Sequence, residues 1–320
     1  TLGSGNASLS GISASNVGLY ALNTTLNIDV ASGSSFNITG KSTSNIGAAL
    51  NNTTINLNAN STNNGSFNLI GTANYSGTGS NNIIRGISFE GVTLTSKQGD
   101  MTFNGTSDSY TGINQTGTLN ITLGQNANLT LNGIANAGFP GVYFSAGSTT
   151  NVNITTGSTF TINGSSLSQI GVQFASSILN INSNTNTSYA GTVNVYGQIY
   201  TGNATSVKGV VLSGNNNISI NRGNLSFYGN SSGGVGIQLQ TQINLTVAKN
   251  AAMYFYGNST NSAGVFATSA TINANIASGA LLSINGNSTN YYGAQLQSST
   301  LNITGAVSYT HLTLPTILLV

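Results

Sequence analysis

A glycine followed by a small or apolar residue returns along this chain at nearly constant spacing, in NVGLYAL, NIGAAL, RGISFEG, TGINQ, PGVYFS, IGVQF, KGVVLSG, VGIQLQ, AGVFAT and YGAQLQ. The glycines are Gly18, Gly47, Gly86, Gly112, Gly141, Gly171, Gly209, Gly236, Gly264 and Gly293, and their successive separations are 29, 39, 26, 29, 30, 38, 27, 28 and 29 residues. A fixed period of this length marks an array of stacked units, each of which buries its apolar face against its neighbours. The two long separations predict insertions. Their candidate segments, Thr72–Asn82 and Ser183–Gly191, are expected to leave the array as loops at its turns.

Each unit holds three short apolar segments. The first follows the glycine. The second reads TLNI at Thr25–Ile28, Thr118–Ile121 and Thr300–Ile303. The third ends in another glycine, as in SFNITG, MTFNG, LTLNG, FTING, VNVYG, LSFYG and MYFYG. Within it an apolar pair recurs at period two: Phe36 and Ile38, Phe67 and Leu69, Met101 and Phe103, Leu129 and Leu131, Phe160 and Ile162, Val193 and Val195, Leu225 and Phe227, Met253 and Phe255, Leu282 and Ile284. Apolar, polar, apolar is a strand with one buried face. Three such strands per unit, joined by Gly, Asn and Ser turns, predict an all-β fold. It is a single parallel β-helix of about ten three-stranded coils over residues 1–306. Each strand bonds to its equivalent one coil away, roughly 4.8 Å along the axis. Asparagines stacked at equivalent turns are expected to form amide ladders.

Charge supports the same reading. Charged residues are 3% of the chain. A charge repeated at one position of a stacked array would face its own copy, and adjacent like charges destabilise a sheet. The net charge of +2 comes from the scattered bases Lys41, Arg85, Lys97, Lys208, Arg222 and Lys249, set against four acids. No cluster forms a nucleic-acid groove or a polybasic membrane patch. With no cysteine, disulfides and thiolate metal sites are excluded. No apolar run approaches the roughly 20 residues of a membrane helix.

The search for chemistry returns no catalytic, cofactor-binding or metal residue. The acids are Asp29, Glu90, Asp100 and Asp108. Glycoside chemistry needs two carboxylates about 5–10 Å apart, and the nearest in sequence, Asp100 and Asp108, fall in different segments and read as solvated turn acids. Gly3 and Gly5 precede no helix and make a weak phosphate loop. Tyr196, Tyr228 and Tyr256 share one repeat position. Aromatic packing at a corner of the solenoid is the simpler reading; an exposed stack suited to sugar faces is the alternative. Asn-x-Ser/Thr acceptors abound, among them Asn6, Asn23, Asn37, Asn52, Asn120, Asn153, Asn203, Asn217, Asn244, Asn258, Asn287 and Asn302. Most follow from composition, and glycosylation stays open.

The last residues break the pattern. VSYTHLTLPT, Val307–Thr316, holds the single histidine, His311, and one of two prolines, Pro315. Its codons can be written GTC TCT TAT ACA CAT CTG ACG CTG CCG ACG. That string lies in one frame of a transposon end joined to a sequencing adaptor. Residues 307–320 are therefore expected to be a non-native, adaptor-derived tail, in which His311 has no function. The chain is expected to be an open-ended piece of a longer rod, assembled from environmental DNA.

The GVxL, LNI and F/L-x-INGxS coils from Gly18 to Gly305 resemble the filamentous haemagglutinin-like exoproteins and autotransporter passenger domains of Gram-negative bacteria. The resemblance is one of repeat style, and no functional residue carries over with it. It implies a right-handed β-helix, type V export through an outer-membrane transporter, display at the cell surface, and a rod used in adhesion or biofilm. Host or surface glycans or proteins would be its partners, without cofactor, nucleic acid or membrane insertion of this segment. The rival expectations are a carbohydrate-active β-helix enzyme and a passive spacer or surface-layer element.

Overall fold

A computed structural model of the chain describes residues 5–58, 65–75, 84–183, 191–199 and 206–305, with no helix among them. The strands stack as a parallel β-solenoid. The third segment of every repeat joins one sheet of ten parallel strands in coil order: Ala7–Ser13, Ser35–Ser42, Ser66–Ala73, Asp100–Ser107, Asn128–Ala135, Thr159–Ser166, Thr192–Ile199, Gly223–Ser231, Ala251–Ser259 and Leu281–Ser288. Nine steps at about 4.8 Å make this sheet roughly 43 Å long. The first and second segments form the other sheet, which is bent. In some coils they are separate strands, Ala48–Asn51 and Thr54–Asn58. In others one strand runs through the bend, as in Ile87–Gln98 and Ile113–Leu123.

Register follows the apolar pairs without a slip. Phe67 pairs with Met101, Met101 with Leu129, Leu129 with Phe160, Phe160 with Val193, Val193 with Leu225 and Leu225 with Met253. The second member of each pair forms a parallel column two residues on. These side chains are buried, and only the end coils expose theirs in part, at Phe36, Leu282 and Ile284. A one-residue slip would turn the whole column outward, which is why alternation repeated nine times admits one register. Phe227 and Phe255 stack at 4.8 Å between ring centres, and Phe67 meets Phe103 edge-on at 5.8 Å.

Two facing columns of glycine close the tube. A Cβ on Gly40, Gly105, Gly133 or Gly164 would sit 2.1–2.3 Å from the carbonyl oxygen of Gly47, Gly112, Gly141 or Gly171 of the same coil. A Cβ on Gly47, Gly112 or Gly141 would in turn meet a backbone nitrogen of the next coil at 2.2–2.3 Å. The repeat glycines are thus set by a close approach of backbones.

The bend between first and second segments uses a different device. One residue per coil adopts the left-handed conformation there: Asn23 (φ 50°), Asn52 (φ 47°), Gly91 (φ 65°), Gly117 (φ 63°), Ser176 (φ 48°), Thr241 (φ 67°) and Ser269 (φ 46°). Asn and Gly tolerate it; the β-branched Thr241 is strained.

Each charge described in a column stands between neutral neighbours, as the charge argument expects. Lys41 lies between Ile12 and Thr72, Glu90 between Asn51 and Thr116, and Asp100 between Ser66 and Asn128.

Two expectations are corrected. The amide ladders run chiefly along the outward faces of strands, with an amide pair also at a turn, where Asn290 donates to Asn261 at 2.9 Å. Asn180 donates to Asn151 at 3.0 Å and Asn151 to Asn120 at 2.9 Å, all within the second segments. Mid-strand residues repeat at the interstrand spacing, whereas turn lengths vary from coil to coil. The candidate insertions also begin too early. Thr72 and Ala73 belong to the strand Ser66–Ala73, where Ala73 continues the inward alternation, and Ser183 ends the strand Ile178–Ser183. Residues 76–82 and 184–190 of those segments, and the tail 307–320 with His311 and Pro315, lie outside the described residues.

Candidate functional site

The acids do not converge. Asp100 opens the strand Asp100–Ser107 and Asp108 follows it, which sets them roughly 25 Å apart at ~3.3 Å per residue. Each carboxylate accepts a side-chain amide one coil on, Asp100 from Asn128 at 2.9 Å and Asp108 from Asn136 at 2.8 Å. Glu90 accepts from Asn51 at 3.2 Å. Among the described residues no three of His, Cys, Asp and Glu gather as a metal group.

The turn that follows the ten-stranded sheet is held by a serine column that the sequence reading missed. Ser42 Oγ accepts from the Asn45 amide at 3.0 Å and donates to the Asn16 carbonyl of the preceding coil at 2.6 Å. Ser259 does the same with Ser262 and Gly234, and Ser288 with Tyr291 and Ser262. One hydroxyl thus caps its own turn and ties it to the turn of the preceding coil. The signal was visible as Gly-x-Ser at Gly40–Ser42, Gly257–Ser259 and Gly286–Ser288.

At the same turn, one coil on from Ser42, Arg85 lies half-buried with its guanidinium 6.0 Å from the ring centre of Tyr110 and 3.4 Å from Ser88 Oγ. Tyr110 packs on Phe139 at 4.1 Å. Burial lowers the Arg85 pKa, opposed by Tyr110 and Glu90. This arrangement anchors a turn: the cation covers an aromatic face and keeps part of its charge in water.

The tyrosines sit on the flat outer face of the ten-stranded sheet, at mid-strand rather than at a corner. Tyr196, Tyr228 and Tyr256 occupy one column, and their rings lie nearly parallel, at 4.8 Å and 9° and at 5.1 Å and 13°. Tyr254 lies beside Tyr256 at 5.8 Å and 11°. Parallel rings this close must overlap face to face, because side by side they would collide. Both faces of Tyr228 are therefore taken. Burial first, then Tyr228, raises the pKa of Tyr196 and Tyr256 above the usual phenol value, so both stay neutral donors.

The same column continues in the other direction as asparagine. Asn104, Asn132 and Asn163 precede Tyr196 in register. Asn132 Nδ2 donates to Asn104 Oδ1, and Asn163 Nδ2 to Asn132 Oδ1, both at 2.8 Å. Where asparagine gives way to tyrosine a groove of about 580 Å³ opens on the outer face, with Ile134 and Gln198 in its far wall. The change of residue was legible in FNG, LNG and ING against VYG and FYG; that it opens a groove was not. Several acceptor asparagines spend their amide nitrogen within the protein, Asn37 on Ser35, Asn244 on Asn217 and Asn302 on Asn273.

No protein-family model matches the chain, and no curated protein matches it. Among solved structures, a TibC-catalysed hyper-glycosylated TibA fragment aligns with 91% of this chain and 97% of its own at 13% identity, with a TM-score of 0.16, too loose a superposition to carry any residue across.

Proposed function

We propose that this chain is a rod segment of a secreted or surface-displayed bacterial adhesin, making adhesion or biofilm contacts without catalysing a reaction. The observation that carries the reading is the stack itself. One continuous apolar core spans coil after coil, and its outward faces carry neutral, hydrogen-bonded amide ladders. A solenoid of this kind holds a surface at a distance and tolerates loops at its turns. The carboxylates of Asp100 and Asp108, each held by an amide of the next coil, favour a structural role over acid–base work. No helix among the described residues is long and apolar enough to cross a membrane. Extracellular display and passage through an outer-membrane transporter belong to the same proposal, as do host or surface glycans or proteins as partners.

The test takes the purified full chain, labelled, against host cells, abiotic surfaces and a glycan array, with polysaccharide turnover assayed in parallel. Saturable binding without turnover is expected. Turnover abolished by Asp100→Asn or Asp108→Asn would make it a carbohydrate-active enzyme instead. Binding to none of the surfaces would make it a passive spacer.

A further inference from the structure

We propose that the groove between Asn163 and Tyr196 is a binding site for a neutral glycan, with one sugar ring lying on the open face of Tyr196 and its hydroxyls on the asparagine ladder. The inference deepens the adhesin reading and rests on it for its biological sense, but its evidence is local.

The aromatic stack by itself is a poor sugar platform. Tyr228 is sandwiched, and the remaining ring faces are at the two ends of the stack. Tyr256 has Tyr254 beside it. Tyr196 has Tyr228 on one face only. Its other face is turned toward the coil of Asn163, where the groove lies, and the residue is 40% exposed. Sugars bring both an apolar C–H face and a rim of hydroxyls. The first suits an aromatic wall, the second an amide floor.

The floor is unsaturated in the right way. Every primary amide has two donor protons and two acceptor lone pairs. The ladder uses one of each at Asn132, leaving it a donor and an acceptor with no partner among the described residues. The ladder also ends here. Asn163 Oδ1 receives no hydrogen bond from a described residue, because the next coil offers Tyr196 in place of another asparagine. A hydroxyl group, donor and acceptor at once, fits that terminus. Ile134 and Gln198 supply one apolar and one polar contact opposite.

Charge selects the class of ligand. No charged residue lines the groove, so an anionic polysaccharide would surrender hydration without an ionic partner. Preorganisation adds to the fit. The asparagines are locked by the ladder and Tyr196 is braced by Tyr228, so little side-chain freedom is lost on binding.

The experiment measures affinity of the full chain for a panel of neutral hexose oligosaccharides, with heparin and hyaluronan fragments as charged controls. Calorimetry reports the affinity, and because the chain has 13 tyrosines the site is reported by comparing the variants below. Binding of at least one neutral oligosaccharide is expected. Tyr196→Ala should weaken it about tenfold or more, equivalent to roughly 1.4 kcal/mol. Tyr196→Phe should retain it, and Asn163→Leu should weaken it without changing the circular dichroism. Tyr256→Ala, at the far end of the stack, should leave it unchanged. Wild-type affinity in a folded Tyr196→Ala variant, or binding confined to the anionic controls, overturns the site. Cell adhesion that persists with no neutral-glycan binding also overturns it, while leaving the adhesin reading intact. Absence of any adhesion counts against that reading instead.

Discussion

Gly133→Ala adds a single methyl group to a strand interior, and the structure makes it one of the costlier substitutions in the protein. The new Cβ would lie 2.1 Å from the carbonyl oxygen of Gly141, 2.6 Å from Val142 Cγ2 and 2.7 Å from the carbonyl carbon of Gly141. Ordinary carbon-to-oxygen approaches are about 3.3 Å or more, so the carbonyl must retreat by roughly 1.2 Å. That carbonyl is not free to move, because it accepts the Ile113 amide of the preceding coil at 2.9 Å. Overpacking costs about 1–3 kcal/mol, and orphaning the buried Ile113 amide adds about 1–3 kcal/mol. A total of roughly 2–6 kcal/mol is expected. Gly147→Ala is the control. At Gly147 φ is +78° and an added Cβ meets nothing within 4 Å, leaving only left-handed strain of about 1–2 kcal/mol. Urea unfolding of the full chain, followed by circular dichroism, compares the two. Coils contact mainly their neighbours, so hydrogen exchange should show the Gly133→Ala loss concentrated in the coils around Gly133 and Gly141. If Gly133→Ala costs no more than Gly147→Ala, close backbone approach is not what the glycine columns are for.

Three further outcomes are expected from the same unfolding assay. Phe160→Ala, which empties a fully buried position, should cost about 3–5 kcal/mol, and outward Thr130→Ala under about 0.5 kcal/mol; equal losses would contradict the register. Asn128→Asp replaces the amide that donates to Asp100 at 2.9 Å with a second carboxylate, for a loss of about 1 kcal/mol or less at neutral pH. Repulsion between exposed groups is screened by salt, so that part of the loss should shrink at high ionic strength; a deficit that salt does not change would remove repulsion as its cause. Thr241→Asn should stabilise by about 1 kcal/mol, because Asn23 and Asn52 already occupy that bend at φ 50° and 47°; a loss would mean that the Thr241 methyl group contributes more than its strain costs.

Much of this architecture was legible in the chain itself. The spacing of Gly18, Gly47 and their equivalents stated the coil length, and the pairs from Phe36 and Ile38 to Leu282 and Ile284 stated which face of the third strand is buried. A period-two pattern repeated at a fixed interval can be buried in only one way, by stacking in register. The scarcity of charge was legible for the same reason, since Lys41, Glu90 and Asp100 each had to fall between neutral neighbours.

What the sequence could not decide were relations between columns. Nothing in a lone Gly133 says that the carbonyl of Gly141 passes 2.1 Å from where its side chain would begin. Nothing in Gly-x-Ser says that the hydroxyl of Ser42 reaches both its own turn and the carbonyl of Asn16. The tyrosines stack on a flat sheet face rather than at a corner because chain folding places their strands there, at a spacing that forces their rings to overlap. Local alternation dictates which side of a strand faces the core. Only the closed tube decides which columns become neighbours, how closely two backbones pass, and where an amide ladder ends against an aromatic ring to open a groove.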